Sequence, residues 1–145
     1  MEVIRTLEDL LSEFVVIGEP VSLNAAKGKG QSKKKNVWKE KVRNAAKGVW
    51  PSRPVADLVS VSMLYGYGTI KRDVDNVPKF VLDALKGVTI KDDDQIEKLK
   101  VERVSITEPD RIQNATSTMA VGFSSGKDFI YVPVRKYSGD QGIVV

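Results

Sequence analysis

Acidic side chains are concentrated in residues 71–97 of an otherwise basic chain, and their spacing indicates chemistry. Asp73 and Asp75 alternate, so in an extended strand both carboxylates point to the same side. Three consecutive aspartates follow further along the chain, at Asp92, Asp93 and Asp94. Carboxylates that are crowded together raise one another's pKa unless a cation neutralises them. The two groups therefore predict a site for a hard divalent cation, Mg²⁺ or Mn²⁺.

Between these two acidic groups the sequence predicts a helix. Its apolar residues recur three and four positions apart and form one stripe, at Val77, Phe80, Val81, Ala84 and Leu85. Asp75 or Asn76 can cap the start of this helix, and Pro78 is tolerated in its first turn. Gly87 can supply the left-handed residue that ends it.

The polar face of the predicted helix carries a lysine. Lys79 lies four residues from both Asp75 and Asp83, so the three side chains share one face. We therefore expect the ammonium group beside the first acidic pair, where it could hold a phosphate or stabilise a leaving oxygen. For Asp83 we favour an ion pair with Lys79, and direct metal binding is the alternative.

The composition limits the chemistry that is available. The chain has 145 residues, 41% of them hydrophobic, with a formal net charge of +4 and neither cysteine nor histidine. Disulfides, thiolate or imidazole metal sites and Ser-His-Asp triads are therefore excluded. The length predicts a single domain over residues 1–145. With no signal-peptide pattern and no long apolar run, we expect a soluble, intracellular, cytoplasmic protein with no membrane partner.

A basic region precedes the acidic segment. Residues 25–35 are rich in lysine and glycine, which predicts a mobile loop, and a helix from Asn36 to about Ala46 buries Trp38 and Val42 while its lysines stay outside. Flexible cations bind a polyanion by releasing counterions, without sequence preference. A solvated loop with no ligand is the alternative. The cations predicted to contact this polyanion are Lys27, Lys29, Lys33, Lys34, Lys35, Lys39, Arg43 and Arg72.

The remaining segments predict a sheet. Strands are expected at residues 14–17, 58–65, 98–103 and 117–123, where apolar residues alternate or form short runs. Residues 1–12 are predicted to be a helical N-terminal extension. Residues 124–145 are predicted to be a C-terminal tail, with an edge strand or partner contact at 129–134. This order predicts an α+β fold with a mixed or largely antiparallel sheet and two main helices packed on one face.

Three motifs resemble the signature of the RusA family, the Holliday-junction-resolving endonucleases of bacteria, prophages and phages. They are Asp73-x-Asp75-Asn76-x-x-Lys79, Leu82-Asp83-Ala84-Leu85 and Asp92-Asp93-x-Gln95-Ile96. The resemblance implies a RusA-like fold and a homodimeric, Mg²⁺-dependent endodeoxyribonuclease of DNA recombination and repair, for which Mn²⁺ could substitute. It also implies paired nicking of four-way junctions or related branched DNA.

The same resemblance implies roles for individual residues. The metal-binding acids would be Asp73, Asp75 and Asp93, and the catalytic lysine would be Lys79. Because the family's acidic pair is a run of three here, Asp92 and Asp94 are the register alternatives to Asp93. The residue chemistry supports this mechanism independently, since a carboxylate-held ion can activate water and withdraw charge from a phosphate. The second function class is a non-catalytic nucleic-acid-binding or assembly protein that retains the fold.

Overall fold

The computed structural model describes residues 10–20, 29–68 and 77–139. Two 3₁₀ turns, Asp93–Gln95 and Pro109–Arg111, lie on either side of the third strand. The α+β class predicted from the sequence is confirmed. The strands and α-helices of the described residues are β1 (Leu10–Ile17), α1 (Lys29–Val49), β2 (Val59–Tyr67), α2 (Pro78–Leu85), β3 (Ile96–Ser105), α3 (Ser117–Ser124) and β4 (Phe129–Lys136).

The four strands form one mixed sheet in the order β1-β4-β2-β3. β4 runs antiparallel to both of its neighbours, β1 and β2. β2 and β3 are parallel, with Val59 opposite Ile96 and Tyr67 opposite Ser105. A parallel pair needs a crossover, and the segment that contains α2 provides it. The mixed sheet predicted from the sequence is therefore confirmed.

Both faces of the sheet are packed, because alternate residues of β4 enter two different clusters. Ile130 and Val132 belong to the larger cluster, which also holds the apolar residues of α1 and α2. Phe129 and Tyr131 point the other way and pack against Met119 of α3. The two main helices thus share one face, as predicted, and α3 lies on the opposite face. None of the helices in the described ranges is long and apolar enough to cross a membrane.

Two predictions for the first third of the chain were wrong. Residues 10–12, assigned to an N-terminal helix, begin β1, in which Ser12, Phe14 and Val16 are buried on one side. Residues 29–35, assigned to a mobile loop, form the first turns of α1. Lysine is a good helix former, so the lysine run extends the helix whose apolar stripe contains Trp38 and Val42. The rest of the predicted loop lies outside the described residues.

Two predictions for the last third were also wrong. Residues 117–123 alternate like a strand but form α3, because the hydroxyl of Thr116 accepts a hydrogen bond from the Met119 amide and caps a helix. The predicted tail contains β4, which pairs with strands on both sides. It is therefore an inner strand and not an edge strand. Its continuous apolar sequence fits burial on both faces.

Candidate active site

The start of α2 presents Lys79 to solvent. The helix begins at Pro78, and its N-cap residue is Val77, which makes no side-chain cap. The cap predicted at Asp75 or Asn76 is therefore corrected to Val77. The predicted apolar stripe is buried, so the polar face with Lys79 stays exposed. Asp73 and Asp75 lie outside the described residues, and their roles stay predictions.

A tight reversal follows α2 and places the second acidic group beside the end of the helix. Gly87 adopts φ +81°, the left-handed conformation predicted for the residue that ends this helix. Its amide donates a hydrogen bond to the carbonyl of Ile90 at 2.7 Å. Ile90 forms an isolated parallel bridge with Val55, in the connection before β2. The three aspartates that follow are consequently fixed at the edge where β2 and β3 begin.

Gln95 holds the turn that carries these aspartates. Its buried side-chain amide donates to the carbonyls of Val55 at 2.7 Å and Asp57 at 2.9 Å. Its Oε1 accepts from the amides of Lys91 at 2.7 Å and Asp92 at 2.9 Å. Four hydrogen bonds to one buried side chain fix the turn against the connection before β2. Gln95 of the family motif is thus a structural residue of this site.

Asp92 and Asp93 converge on one cation, the Lys86 ammonium group. Lys86 Nζ lies 3.8 Å from Asp92 Oδ1 and 3.2 Å from Asp93 Oδ2. The hydrogen bond and the charge of Asp93 raise the pKa of Lys86 above its usual value. Asp92 Oδ1 also accepts from the Asp93 amide at 2.7 Å. Both carboxylates are largely exposed, as is the side chain of Asp94.

Asp92, Asp93 and Lys86 form a group that we call the acidic corner, and its chemistry fits the divalent cation predicted for it. Two exposed carboxylates already share a positive charge, and hard oxygen ligands are those that Mg²⁺ prefers. Among the residues that the structure describes, no three acidic side chains are grouped closely enough to hold a metal ion. Lys79 and Lys86 are separated by seven residues of α2, roughly 10 Å of helix rise. A complete site therefore needs further ligands, and Asp73 and Asp75 are the predicted ones.

The side chain of Asp83 forms an ion pair with a lysine of α1. Its carboxylate lies 3.7 Å from Lys39 Nζ, and each side chain is 35% exposed. The predicted ion pair between Asp83 and Lys79 was therefore wrong. An ion pair between two helices competes with an ion pair along a single helix. The spacing of residues in the sequence indicates only the pair along a single helix. Asp83 instead links α2 to the basic helix beside it.

The predicted DNA-contacting cations of α1 run along α2. Lys35 Nζ lies 5.4 Å from the centre of the Phe80 ring, Lys39 pairs with Asp83, and the Arg43 guanidinium lies beside Gly87. The three cations are spaced by four residues, so they share one face of α1. They form a line of positive charge between the two helices, which we call the α1 cation line. It leads towards the end of α2, where Lys86 meets the aspartates.

The remaining predicted cations lie elsewhere on α1 or outside the described residues. Lys33 and Lys34 are exposed and border a shallow cavity of about 490 Å³. Trp38 lines the same cavity but is only 5% exposed and packs edge-on against Phe80 at 6.2 Å. Its predicted place in the core is confirmed. Lys29 begins α1, whereas Lys27 and Arg72 lie outside the described ranges.

Asp128 connects separate segments of the fold, and the sequence did not indicate this role. Its Oδ1 accepts from the Gly68 amide at 2.8 Å, and its Oδ2 accepts from the Tyr65 hydroxyl at 2.7 Å. Its carbonyl also accepts from the Gly18 amide at 2.7 Å, so it ties β1 to β2. Burial and the bond to Asp128 raise the pKa of Tyr65 above its usual value. Asp128 therefore fixes the end of β2, from which the chain leads to Asp73.

The opposite face of the sheet carries a groove that is separate from these residues. Its cavity of about 790 Å³ is bordered by β2, β3, β4 and the segment before α3. At its edge the Tyr131 hydroxyl and the Thr116 hydroxyl both donate to Glu13 Oε2. Burial and the bond to Glu13 raise the pKa of Tyr131 to about 12. This network joins α3 to the sheet and has no part in the acidic corner.

The fold and the site together define an α+β domain, with exposed aspartates held beside a line of cations. A family model described as Endodeoxyribonuclease RusA matches residues 23–113, which is more than half of the chain. The chain therefore belongs to the RusA family of endodeoxyribonucleases. No curated protein matches it. Membership of this family implies Holliday-junction-resolving nuclease activity on branched DNA.

Proposed function

We propose that the protein is a Mg²⁺-dependent, structure-selective endonuclease that resolves Holliday junctions or related branched DNA by paired phosphodiester hydrolysis. The observation that carries this proposal is the acidic corner at the end of α2. There Asp92 and Asp93 share a cation in a chain of the RusA family. In the proposal Asp73, Asp75 and Asp93 hold the ion, with Asp92 and Asp94 as alternatives to Asp93.

In the proposed mechanism, different residues of the chain contribute to different parts of the hydrolysis. Asp73, Asp75 and Asp93 would hold the ion, which would supply an activated water and withdraw charge from the scissile phosphate. Lys79, exposed near the start of α2, donates to a phosphate oxygen or to the leaving 3′ oxygen. The α1 cation line holds the DNA backbone alongside, because cations bind phosphates without reading the sequence. Gln95 keeps the acidic turn rigid while charge develops in the transition state.

The test is the cleavage of a synthetic four-way junction by the Asp75→Asn variant in Mg²⁺. We expect nicking to be lost while junction binding is retained, because the amide keeps the shape of the side chain but loses its charge. Asp110→Asn is the matched control, since Asp110 is an exposed aspartate in the turn after β3. Cleavage by Asp75→Asn at the rate of the unchanged protein would contradict the assignment.

We also infer a homodimer, because paired nicking of a symmetric junction needs two active sites related by a twofold axis. In this proposal the protein acts in the cytoplasm.

A second candidate function is supported by the α1 cation line alone. A non-catalytic nucleic-acid-binding protein would bind branched DNA through Lys35, Lys39 and Arg43 with strong salt dependence. It would show no Mg²⁺-dependent nicking. Matched branched and linear duplexes, incubated with and without Mg²⁺, separate the two functions, since nicking of the branched substrate eliminates the non-catalytic one.

A further inference from the structure

The face of the sheet that carries α3 is only partly covered by that helix. At the start of β4 the Phe129 ring lies against both β2 and α3. An added Cβ would lie 2.2 Å from this ring at Gly66 and 2.5 Å from it at Gly122. Further along β4 the same face borders the cavity of about 790 Å³, which we call the sheet-face groove. Its floor comes from β2, β3 and β4, and residues 111–116 form one wall.

The floor of the sheet-face groove has an apolar centre. Leu64 of β2 lies opposite Tyr131 of β4 and packs against the cluster that contains Met119. Pro133 is two residues beyond Tyr131, so it lies on the same face of β4, and it is buried. Cavities of this size that combine an apolar lining with a few polar groups are typical of ligand sites.

Cations border this apolar centre, and they come from three different elements. They are Arg135 of β4, Lys100 of β3 and Arg111 of the 3₁₀ turn before α3. Arg135 lies opposite Ser60 and Lys100 lies opposite Ser62, so β2 runs between these two cations. The strands that carry them are two strand spacings apart, roughly 10 Å. The groove therefore presents positive charge on both sides of an apolar strip.

The acidic side chains of the groove leave two of its cations unpaired. Glu102 lies 3.1 Å from Lys100 and offsets its charge. Glu13, at the edge of the groove, already accepts hydrogen bonds from two hydroxyl groups. Among the described residues, no carboxylate forms an ion pair with Arg111 or Arg135. The charge of the groove is therefore complementary to an anionic ligand.

Arg135 also has a donor without an acceptor. Its Nε is buried and has no hydrogen-bond partner in the part of the chain that the structure describes. A buried donor without a partner is destabilising, and native proteins rarely contain one. A planar guanidinium binds a carboxylate through two parallel hydrogen bonds. A carboxylate is thus the group that best completes the surroundings of Arg135.

We propose that the sheet-face groove binds an extended peptide of a partner protein in which acidic and apolar residues alternate. Alternate side chains of an extended peptide point to opposite sides. The apolar side chains pack on Leu64, Met119 and Pro133. The carboxylates bind Arg111 and Arg135, because arginine lays its stem along apolar surface and keeps its charged head at the rim. This site is additional to the nuclease reaction and shares no residue with the acidic corner or the α1 cation line.

The lining of the groove favours a peptide over a strand of nucleic acid. Proteins bind single strands through cations together with exposed aromatic rings on which the bases stack. The aromatic residue that lines the groove is Tyr131, which is only 2% exposed and donates its hydroxyl hydrogen to Glu13. The groove therefore offers a base no aromatic ring to stack on, whereas its arginines match carboxylates.

The test is the binding of a fluorescent peptide in which Leu and Glu alternate, measured by anisotropy without DNA and without Mg²⁺. A peptide with Lys in place of each Glu is the control ligand and should not bind. We expect Arg135→Gln to weaken binding of the acidic peptide roughly tenfold and Arg111→Gln by a few-fold, since Arg111 is more exposed. Arg135→Lys keeps the charge but loses the paired hydrogen bonds, so its affinity should be intermediate. Arg53→Gln, at an exposed arginine in the connection before β2, is the matched control and should leave the affinity unchanged.

Melting temperatures establish that the variants are folded, and Arg111→Gln provides the test if Arg135→Gln does not fold. Equal binding of the acidic and the basic peptide overturns the proposal, as does unchanged affinity of both glutamine variants. Displacement of the peptide by an oligothymidylate that loses affinity in Arg135→Gln overturns it in favour of a nucleic-acid site. A lower molar mass of Arg135→Gln in light scattering without peptide overturns it in favour of a contact between two copies of the chain. Because no junction and no Mg²⁺ are present, these results are independent of nuclease activity.

Discussion

At the scale of single residues, Lys86 controls the charge of the acidic corner. Its ammonium lies within 4 Å of both Asp92 and Asp93, so it neutralises carboxylates that the proposed function assigns to a metal ion. The two cations compete for the same oxygens. Lys86 is therefore expected to weaken Mg²⁺ binding and, once displaced, to be available to a DNA phosphate. Sequence spacing alone gave no indication of this role.

We predict that Lys86→Met lowers the Mg²⁺ concentration at half-saturation by a few-fold, because it removes the competing cation. The melting temperature should change little, since exposed ion pairs contribute little to stability. Calorimetric titration of Mg²⁺ without DNA measures the affinity. Lys136→Met is the control, as Lys136 forms a similar exposed pair with Asp57 at 3.4 Å. An unchanged or higher Mg²⁺ midpoint in Lys86→Met would contradict the competition.

At the scale of elements, local signals explain which predictions were confirmed. α2 was predicted because its apolar stripe and Gly87 are local features, and the structure confirms both. α3 was predicted as a strand, because Met119 and Phe123 take part in an alternation of apolar and small residues, and the cap at Thr116 was recognised only in the structure. β4 was predicted as a tail, because inner-strand pairing depends on partners far away in the chain. Asp128 was missed for the same reason, as its partners Tyr65 and Gly68 are distant in sequence.

At this scale, we predict that the turn before β3 depends on the side chain of Gln95. Gln95→Met keeps a similar side-chain volume but removes all four hydrogen bonds, which leaves the carbonyls of Val55 and Asp57 without this partner. We expect the free energy of unfolding to fall by about 2–4 kcal/mol. Urea denaturation measures the loss, and Gln113→Met at an exposed glutamine is the control. Equal stability of the two variants would show that the turn does not depend on Gln95.

At the scale of the whole molecule, the fold brings together charges that lie far apart in sequence. The acidic segment and the basic region were both recognised from composition, but their relative position in the fold was not. The structure lays α1 against α2, so that Lys39 meets Asp83 and Arg43 reaches Gly87. The sequence predicted that these cations lie on the outer face of α1. The packing of α1 against α2 determines which surface they share. In the proposed function, a DNA strand that crosses the α1 cation line would be directed to the acidic corner.

The salt dependence of junction binding tests this arrangement. Each phosphate contact that is lost should reduce the slope of log affinity against log salt concentration by about one. We predict this full reduction for Arg43→Ala and a smaller one for Lys39→Ala, because Asp83 already neutralises part of the Lys39 charge. Fluorescence anisotropy with a labelled four-way junction in EDTA measures the slopes without cleavage. Lys127→Ala, at an exposed lysine far along the chain, should leave the slope unchanged. Equal effects of all three variants would mean that DNA binds through general positive charge, without the α1 cation line.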